Sequence, residues 1–255
     1  MKRRLSIYAL GAILLLAGGP AAEGALVRVG RIVVQADGGF TPRVLPRRAY
    51  APIEFHGYAD VRSTDSGPVP AVRQVRLDFD RDGLLGMAGL AICNPTQLQG
   101  TTTDEARRRC AKALVGTGHV AAEILRPGLS GLAVRAPLSF FNGPRIDGKP
   151  TAIAHSRTLI PSPETYVITI PIEPRDGAFS YRATIDVPAI AGGEGVLTHV
   201  DAKVGKKYRY KGRERSYVSA RCSDGVLETR GRLLFEEGTV IEGSVYRGCT
   251  PEGGF

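Results

Sequence analysis

The segment DFDRDG at residues 78–83 carries three carboxylates at alternating positions, a spacing that could bind a metal ion. Asp78, Asp80 and Asp82 are arranged like the first half of a helix-flanked calcium loop, which uses oxygen ligands. Such a loop needs an acidic residue at its twelfth position, but that position is Gly89. The preceding residues RQVRLDF alternate apolar with polar side chains. We therefore interpret the segment as a strand with an acidic outer face that ends in an Asp-Gly turn, and a calcium site would need oxygens from another loop.

A second metal-binding candidate is the segment THVD, in which His199 and Asp201 stand two residues apart. On a strand this spacing places both side chains on one face. A third ligand would have to come from elsewhere in the chain, and His155 is the candidate. Histidines on strands are usually hydrogen-bonded or exposed, so we predict neither a metal site nor a cofactor.

Catalytic groupings are sparse in this sequence. The chain has four histidines and no G-x-S-x-G segment, so no serine is predicted to be activated by a neighbouring base. The glycine-rich segment IAGGEGV at 190–196 precedes a predicted strand and lacks the lysine and helix of a phosphate-binding loop. A pair of carboxylates for glycosidic cleavage stays open, because the fold sets the spacing of such residues. We predict no catalytic residue and favour a protein that is not an enzyme.

A basic run at residues 205–221 is the most suggestive surface. Its strand period places Lys207, Arg209 and Lys211 on one face and Tyr208 and Tyr210 on the other. Such a run either protects a sheet edge from aggregation or binds an anionic partner. An anionic cell-wall polymer or lipid head groups are the candidate partners, and nucleic acid is the less expected one. The candidate contact residues are Lys206, Lys207, Arg209, Lys211, Arg213 and Arg215.

The first residues have the layout of a secretory signal peptide, with a basic start, a short apolar run and then small residues. We place the signal peptide at residues 1–21 and expect one β-rich extracellular domain at residues 22–255. The apolar run is shorter than a transmembrane helix, so we expect no membrane-spanning segment after cleavage. The protein is then secreted or extracellular, with the cell surface as a candidate location. Cleavage would lower the net charge from +9 to +6.

The four cysteines lie in the exported part, at Cys93, Cys110, Cys222 and Cys249. An even number in an oxidising compartment favours disulfides, although four cysteines allow three connectivities. We expect the pairs that are local in sequence, Cys93 with Cys110 and Cys222 with Cys249. Zinc is not favoured, because structural zinc ligands usually stand closer together in the sequence.

From Leu26 onward the chain consists of short runs of alternating apolar and polar residues, separated by glycine and proline. This pattern predicts about a dozen antiparallel strands in a sandwich or a curled open barrel. LVRVGRIVVQ at 26–35 is predicted as one strand. The one predicted helix spans about 103–114, where Thr102 and Glu105 form a capping box and Gly116 or Gly118 closes the end. Cys110 falls on the apolar face of this helix.

Several segments in order resemble a family of uncharacterised secreted proteins found in actinobacteria. They are CNPTQL, EARRRCAKALVGTG, SFFNGP, IAGGEGVLTHV, SYVSARCSDG and FEEGTVIEGSVYRGCT. The resemblance runs from about Val75 to Thr250. It implies export and the four-cysteine framework, and it brings no known activity.

Three functions are compatible with these features. The first is a non-catalytic binding or structural component of the cell envelope. The second is an extracellular hydrolase whose acidic residues are brought together only by the fold. The third is a carrier in which a curled sheet encloses an apolar ligand. A carrier requires a continuous apolar cavity, a hydrolase two convergent carboxylates, and an envelope binder a basic or aromatic face.

Overall fold

The computed structural model describes residues 24–65, 67–126 and 131–253. The predicted signal peptide at residues 1–21 lies outside these ranges. The described part of the protein is mainly β, with 60% of its residues in strands and 7% in helices. Within the described ranges, every helix is too short or too polar to cross a membrane.

Twelve strands form the main antiparallel sheet, and seven short strands form three smaller sheets. In chain order the strands are β1 (Ala25–Val29), β2 (Ile32–Thr41), β3 (Val44–Leu45), β4 (Ala51–Pro52), β5 (Glu54–Ser63), β6 (Val72–Asp80), β7 (Gly83–Leu85), β8 (Leu114–Ile124), β9 (Leu132–Asn142), β10 (Thr151–Thr158), β11 (Glu164–Pro174), β12 (Phe179–Asp186), β13 (Gly195–Val204), β14 (Lys207–Tyr210), β15 (Arg213–Ser216), β16 (Val218–Ala220), β17 (Val226–Phe235), β18 (Val240–Gly248) and β19 (Thr250–Pro251).

The main sheet curls until its first and last strands meet. Its order is β1-β2-β5-β13-β8-β9-β10-β11-β12-β6-β17-β18, and the result is a nearly closed barrel. At the seam β1 packs against β18 so closely that a Cβ on Gly243 would lie 3.1 Å from a methyl group of Val27. Of the two predicted architectures, the structure shows the barrel.

The alternation read from the sequence divides each strand between the inside and the outside of the barrel. On β6, Val75, Leu77 and Phe79 face inward, whereas Arg76 and Asp78 face outward. Neighbouring strands repeat this arrangement, so their inner faces are lined mainly by Val, Ile, Leu and Ala. The inward side chains of the strands therefore form one continuous apolar wall.

The helix predicted at 103–114 is shorter than expected. The α-helix α1 spans Thr103–Arg109, and a 3-10 turn follows at Ala111–Ala113. The predicted capping box is present, because the Thr102 hydroxyl accepts from the Glu105 amide and the Glu105 carboxylate accepts from the Thr102 amide. The disulfide Cys93–Cys110 joins this helix to the preceding segment. Other 3-10 turns lie at Pro95–Gln97 and Ala191–Gly193.

Gly116 and Gly118 do not end the helix, as the sequence had suggested, but lie inside β8. A Cβ on Gly118 would lie 2.0 Å from the carbonyl oxygen of Asp201 on β13, and one on Gly116 would lie 2.6 Å from that of Lys203. These glycines therefore allow β8 and β13 to approach closely. The single strand predicted at 26–35 is also divided in the structure, because Gly30 has a positive φ and turns the chain between β1 and β2.

The two ends of the barrel differ in construction. At one end, which we call the disulfide end, β3 and β4 lie between β2 and β5, β14 to β16 lie between β13 and β17, and β19 follows β18. The disulfide Cys222–Cys249 also lies at this end. At the opposite end, which we call the loop end, the described parts of the connections between strands lie at residues 30–31, 64–65, 67–71, 125–126, 131, 159–163, 187–194 and 236–239.

Candidate ligand-binding cavity

The inner wall of the barrel surrounds a cavity of about 500 Å³. Volumes of this size are typical of pockets that bind small molecules. Its lining is dominated by aliphatic side chains, and small residues such as Ala154, Ala183 and Gly231 leave room between the larger ones. Ala183 illustrates this alternation, because its cross-strand neighbours are Leu77 and Ile172. Cavities with such a lining hold water poorly and bind apolar molecules.

Buried side chains close the cavity at the disulfide end. Phe40, Tyr217 and Ala220 line the cavity there, and each is less than one-tenth exposed. At the loop end, by contrast, Ile160 lines the cavity and is 50% exposed, and the adjacent Leu159 is 68% exposed. Pro188 also lines the cavity and is exposed. The cavity therefore reaches solvent at the loop end, beside the loops at 159–163 and 187–194.

Tyr166 connects the cavity wall to one of these loops. Its hydroxyl donates to the Glu164 carboxylate at 2.5 Å and accepts from the amide of Ala191 at 3.0 Å. Burial and the bond to Glu164 raise the pKa of Tyr166 to about 12. The hydroxyl consequently stays protonated at neutral pH and holds the segment 187–194 against the rim.

A charged pair lies on the inner face near the disulfide end. Arg247 on β18 forms an ion pair with Asp37 on β2, and it also donates to the carbonyl oxygen of Tyr246. Desolvation lowers the pKa of Arg247. β1 and β18 are the two outermost strands of the sheet, and β2 is the neighbour of β1. The pair therefore joins the two sides of the seam at a level that β1 does not reach, because β1 begins at Ala25.

The carboxylates of DFDRDG are engaged by protein donors. Asp78 is buried and accepts two hydrogen bonds from Arg182, at 2.7 and 2.9 Å, which lower its pKa. Asp80 accepts from the amides of Asp82 and Glu228, but burial raises its pKa. In place of a calcium loop, the segment forms the predicted strand and turn.

Asp82 in the same segment is completely buried. It accepts from Arg221 and from the amide of Ser223, both at 2.8 Å. Burial acts to raise its pKa, but these bonds outweigh burial and lower it. The expected acidic outer face is therefore largely covered, because Asp78 and Asp82 anchor neighbouring segments.

The structure does not bring the three candidate metal ligands together. His199 lies between two carboxylates, with Nδ1 2.7 Å from Asp60 and Nε2 3.4 Å from Asp201. His155 lies on β10, three strands away in the sheet, a separation of about 14 Å or more. The His155 side chain is fully buried beneath the segment that contains α1, with Nε2 3.1 Å from the Thr101 hydroxyl. Burial lowers the pKa of His155. In the described ranges, no three His, Cys, Asp or Glu side chains form a group that could hold a metal ion.

The basic run forms the hairpin of β14 and β15, whose turn contains Lys211 and Gly212. Lys207 and Arg209 are exposed, whereas Tyr208 and Tyr210 are half-buried, in agreement with the predicted alternation. Tyr208 donates to the carbonyl oxygens of Gly86 and Ala88.

The six candidate contact residues of this run do not share one surface. Arg215 pairs with Tyr208, and Arg213 pairs with Tyr210, so these two arginines lie on the tyrosine face. Lys206 donates to the carbonyl oxygens of Ala111 and Lys112. Lys207 and Arg209 remain the exposed cations of the opposite face, and their contact with an anionic partner stays a prediction.

A ligand-binding cavity is required by only one of the three functions that the sequence allows. The inward residues of β6 were identifiable from their alternation, but a sandwich core would produce the same pattern. Comparisons with protein-family models, with curated proteins and with solved structures gave no significant match. The resemblance to secreted actinobacterial proteins therefore stays a prediction.

Proposed function

We propose that the protein is a non-catalytic binding protein that holds an apolar ligand inside its barrel. The observation that supports this proposal is the continuous aliphatic lining of a cavity of about 500 Å³ that reaches solvent at the loop end. Burying aliphatic surface of a ligand against such a wall is favourable, at about 25 cal/mol per Å² of apolar area removed from water. The carrier hypothesis thus has more support than the structural-component or hydrolase hypotheses.

The hydrolase alternative has less support because the carboxylates of residues 78–82 serve as hydrogen-bond acceptors within the fold. Asp78 is bound to Arg182, and Asp82 to Arg221. Such buried pairs position segments, and removing one partner would leave the other uncompensated.

We further place the protein outside the cell. The two disulfides are compatible with an oxidising compartment, and residues 1–21 have the composition of a signal peptide. Intact mass measurement of the exported chain tests this. We expect the mass of residues 22–255 less four hydrogens, whereas a chain that retains residues 1–21 would contradict export with cleavage.

The test of ligand binding uses native mass spectrometry of the purified protein, first as isolated, then after solvent extraction and incubation with hexadecanoic acid. We expect one bound molecule per chain. Replacing Ala183 by Trp fills the cavity from its wall, so the Ala183→Trp variant should lose the adduct. Thr184→Trp is the matched control, because Thr184 is the next residue of β12 and faces outward.

Circular dichroism and thermal melting establish that both variants fold. Ala136→Trp provides a second filling variant from another strand, in case Ala183→Trp unfolds. Equal binding by the filling variants and by Thr184→Trp would overturn the proposal, as would a wild-type protein that binds neither hexadecanoic acid nor any co-purified apolar molecule.

A further inference from the structure

Two aromatic rings meet across the barrel. Phe55 on β5 and Phe79 on β6 both line the cavity, and their ring centroids are 5.7 Å apart with an interplanar angle of 85°. Their strands stand third and tenth in a sheet of twelve, on nearly opposite walls. Edge-to-face pairs of this kind are favourable contacts. The pair, which we call the aromatic bridge, therefore spans the lumen from wall to wall.

The aromatic bridge lies toward the disulfide end, because Phe55 is the second residue of β5 and Phe79 is the last but one of β6. Beyond it the lining continues with side chains such as Ile53 and Val218. On the other side, Phe79 lies seven residues from Val72 at the loop end of β6. At about 3.3 Å per residue and a strand tilt of about 40°, the chamber between mouth and bridge is roughly 18 Å deep.

The polar side chains that β10 and β11 contribute to the cavity lie near its opening at the loop end. Thr158 ends β10 and lines the cavity, and Ser156 is paired with Tyr166 near the start of β11. Deeper on the same strands the inner residues are apolar, with Ala152 and Ala154 on β10 and Ile168 and Ile170 on β11. The Arg247–Asp37 pair also lines the cavity, but these two side chains neutralise each other. A polar ligand group carried deep between β10 and β11 would lose its hydration against apolar side chains, which is costly.

We infer that the ligand is an unbranched aliphatic chain with one polar end, which enters tail first, keeps its polar end at the loop end, and is limited in length by the aromatic bridge. This inference rests on the proposed binding function and names its ligand class. Phe55 and Phe79 are accordingly the residues that determine chain-length specificity. The narrow passage at the bridge disfavours ligands with rigid fused rings in the deep part of the chamber.

The experiment measures dissociation constants for even-numbered saturated fatty acids of about 8 to about 22 carbons. Affinity of the wild type should rise about fourfold for each added methylene and then stop rising once the tail reaches the bridge. In Phe79→Ala the rise should continue to longer chains, because the space beyond the bridge joins the chamber. Phe179→Ala is the control, since Phe179 lies under Arg230 on the outer face and its loss should leave the plateau where it is.

A dicarboxylic acid with the chain length preferred by the wild type tests the tail-first orientation. It carries a second ionised group at the position of the tail, so it should bind at least about tenfold more weakly than the monocarboxylic acid. Binding that equals that of the monocarboxylic acid would contradict the tail-first orientation.

Two results separate failure of this inference from failure of the proposed function. If the wild type binds no member of the series, the binding function itself is wrong. If the wild type binds but the plateau stays in place in Phe79→Ala and also in Phe55→Ala, the bridge does not limit chain length and the inference is wrong. Phe79→Leu serves as a milder variant if Phe79→Ala does not fold.

Discussion

Individual carboxylates in this protein act mainly as structural acceptors. The sequence showed the alternation of Asp78 and Asp80 and the turn at Asp82, because these follow from the period of a strand and from the preference for Asp-Gly. It could not show that Asp82 is completely buried, because its partners Arg221 and Ser223 lie far away in the sequence. Long-range pairing of this kind is decided by topology and not by local pattern.

The ion pair of Asp78 with Arg182 predicts a pH-dependent contribution to stability. Asp78→Asn should lower the free energy of unfolding by about 2 kcal/mol at pH 7, since a bidentate bond to a charged partner is lost. The Arg182 hydrogen bonds lower the pKa of Asp78 in the folded state below its ordinary value of 3.8. The wild-type contribution is therefore present above that value and is lost as the pH falls through the lower folded pKa.

Urea unfolding at several pH values measures this effect. The difference between wild type and Asp78→Asn should shrink as the pH falls from about 5 to about 2. Glu54→Gln is the control, because the pair Lys203–Glu54 is exposed and should contribute little. A difference that is constant with pH would show that Asp78 does not act through its charge.

Single elements differ in how well their sequences specify them. The capping box of α1 was identified from Thr102 and Glu105, since both contacts are local. Gly116 and Gly118 lie in β8 and not at the helix end that the sequence predicts, because a glycine needed for close contact of two strands looks the same in sequence as one that ends a helix. The length of the helix was therefore overestimated.

At the loop end, the segment 187–194 should control how fast a ligand leaves. Tyr166→Phe removes the bond to Ala191 while it keeps the ring in the wall. If one net hydrogen bond of about 1 kcal/mol holds the segment in place, dissociation of hexadecanoic acid should become about fivefold faster. Stopped-flow displacement by an excess of unlabelled ligand measures this rate.

The acceleration in Tyr166→Phe should be the same between about pH 6 and pH 10, because the pKa of Tyr166 is raised to about 12 and the hydroxyl remains protonated. Tyr246→Phe is the control, since Tyr246 faces outward on β18. An unchanged rate in Tyr166→Phe would show that the segment does not obstruct the mouth.

At the scale of the whole molecule, the alternating strands predicted the β class and their approximate number. They did not decide between a sandwich and a barrel, because both bury the same inward residues of β6, β8 and β11. The barrel follows from the contact between β1 and β18, the first and last strands of the sheet, and from the Arg247–Asp37 pair that crosses this seam. The volume of the lumen depends in turn on small inner residues such as Ala154, whose role is evident only from the closed sheet.

The most direct test of the central claim is methyl NMR of protein labelled at the isoleucine δ1 carbon, titrated with hexadecanoic acid. Ile168, Ile170 and Ile172 face the lumen, whereas Ile153 is buried beneath the helix segment outside it and Ile92 is exposed. We expect contacts between the ligand chain and the three inner methyl groups of β11, with Ile153 and Ile92 unaffected. Ligand contacts confined to Ile92 or other outer methyl groups, with the inner three unchanged, would contradict binding inside the barrel.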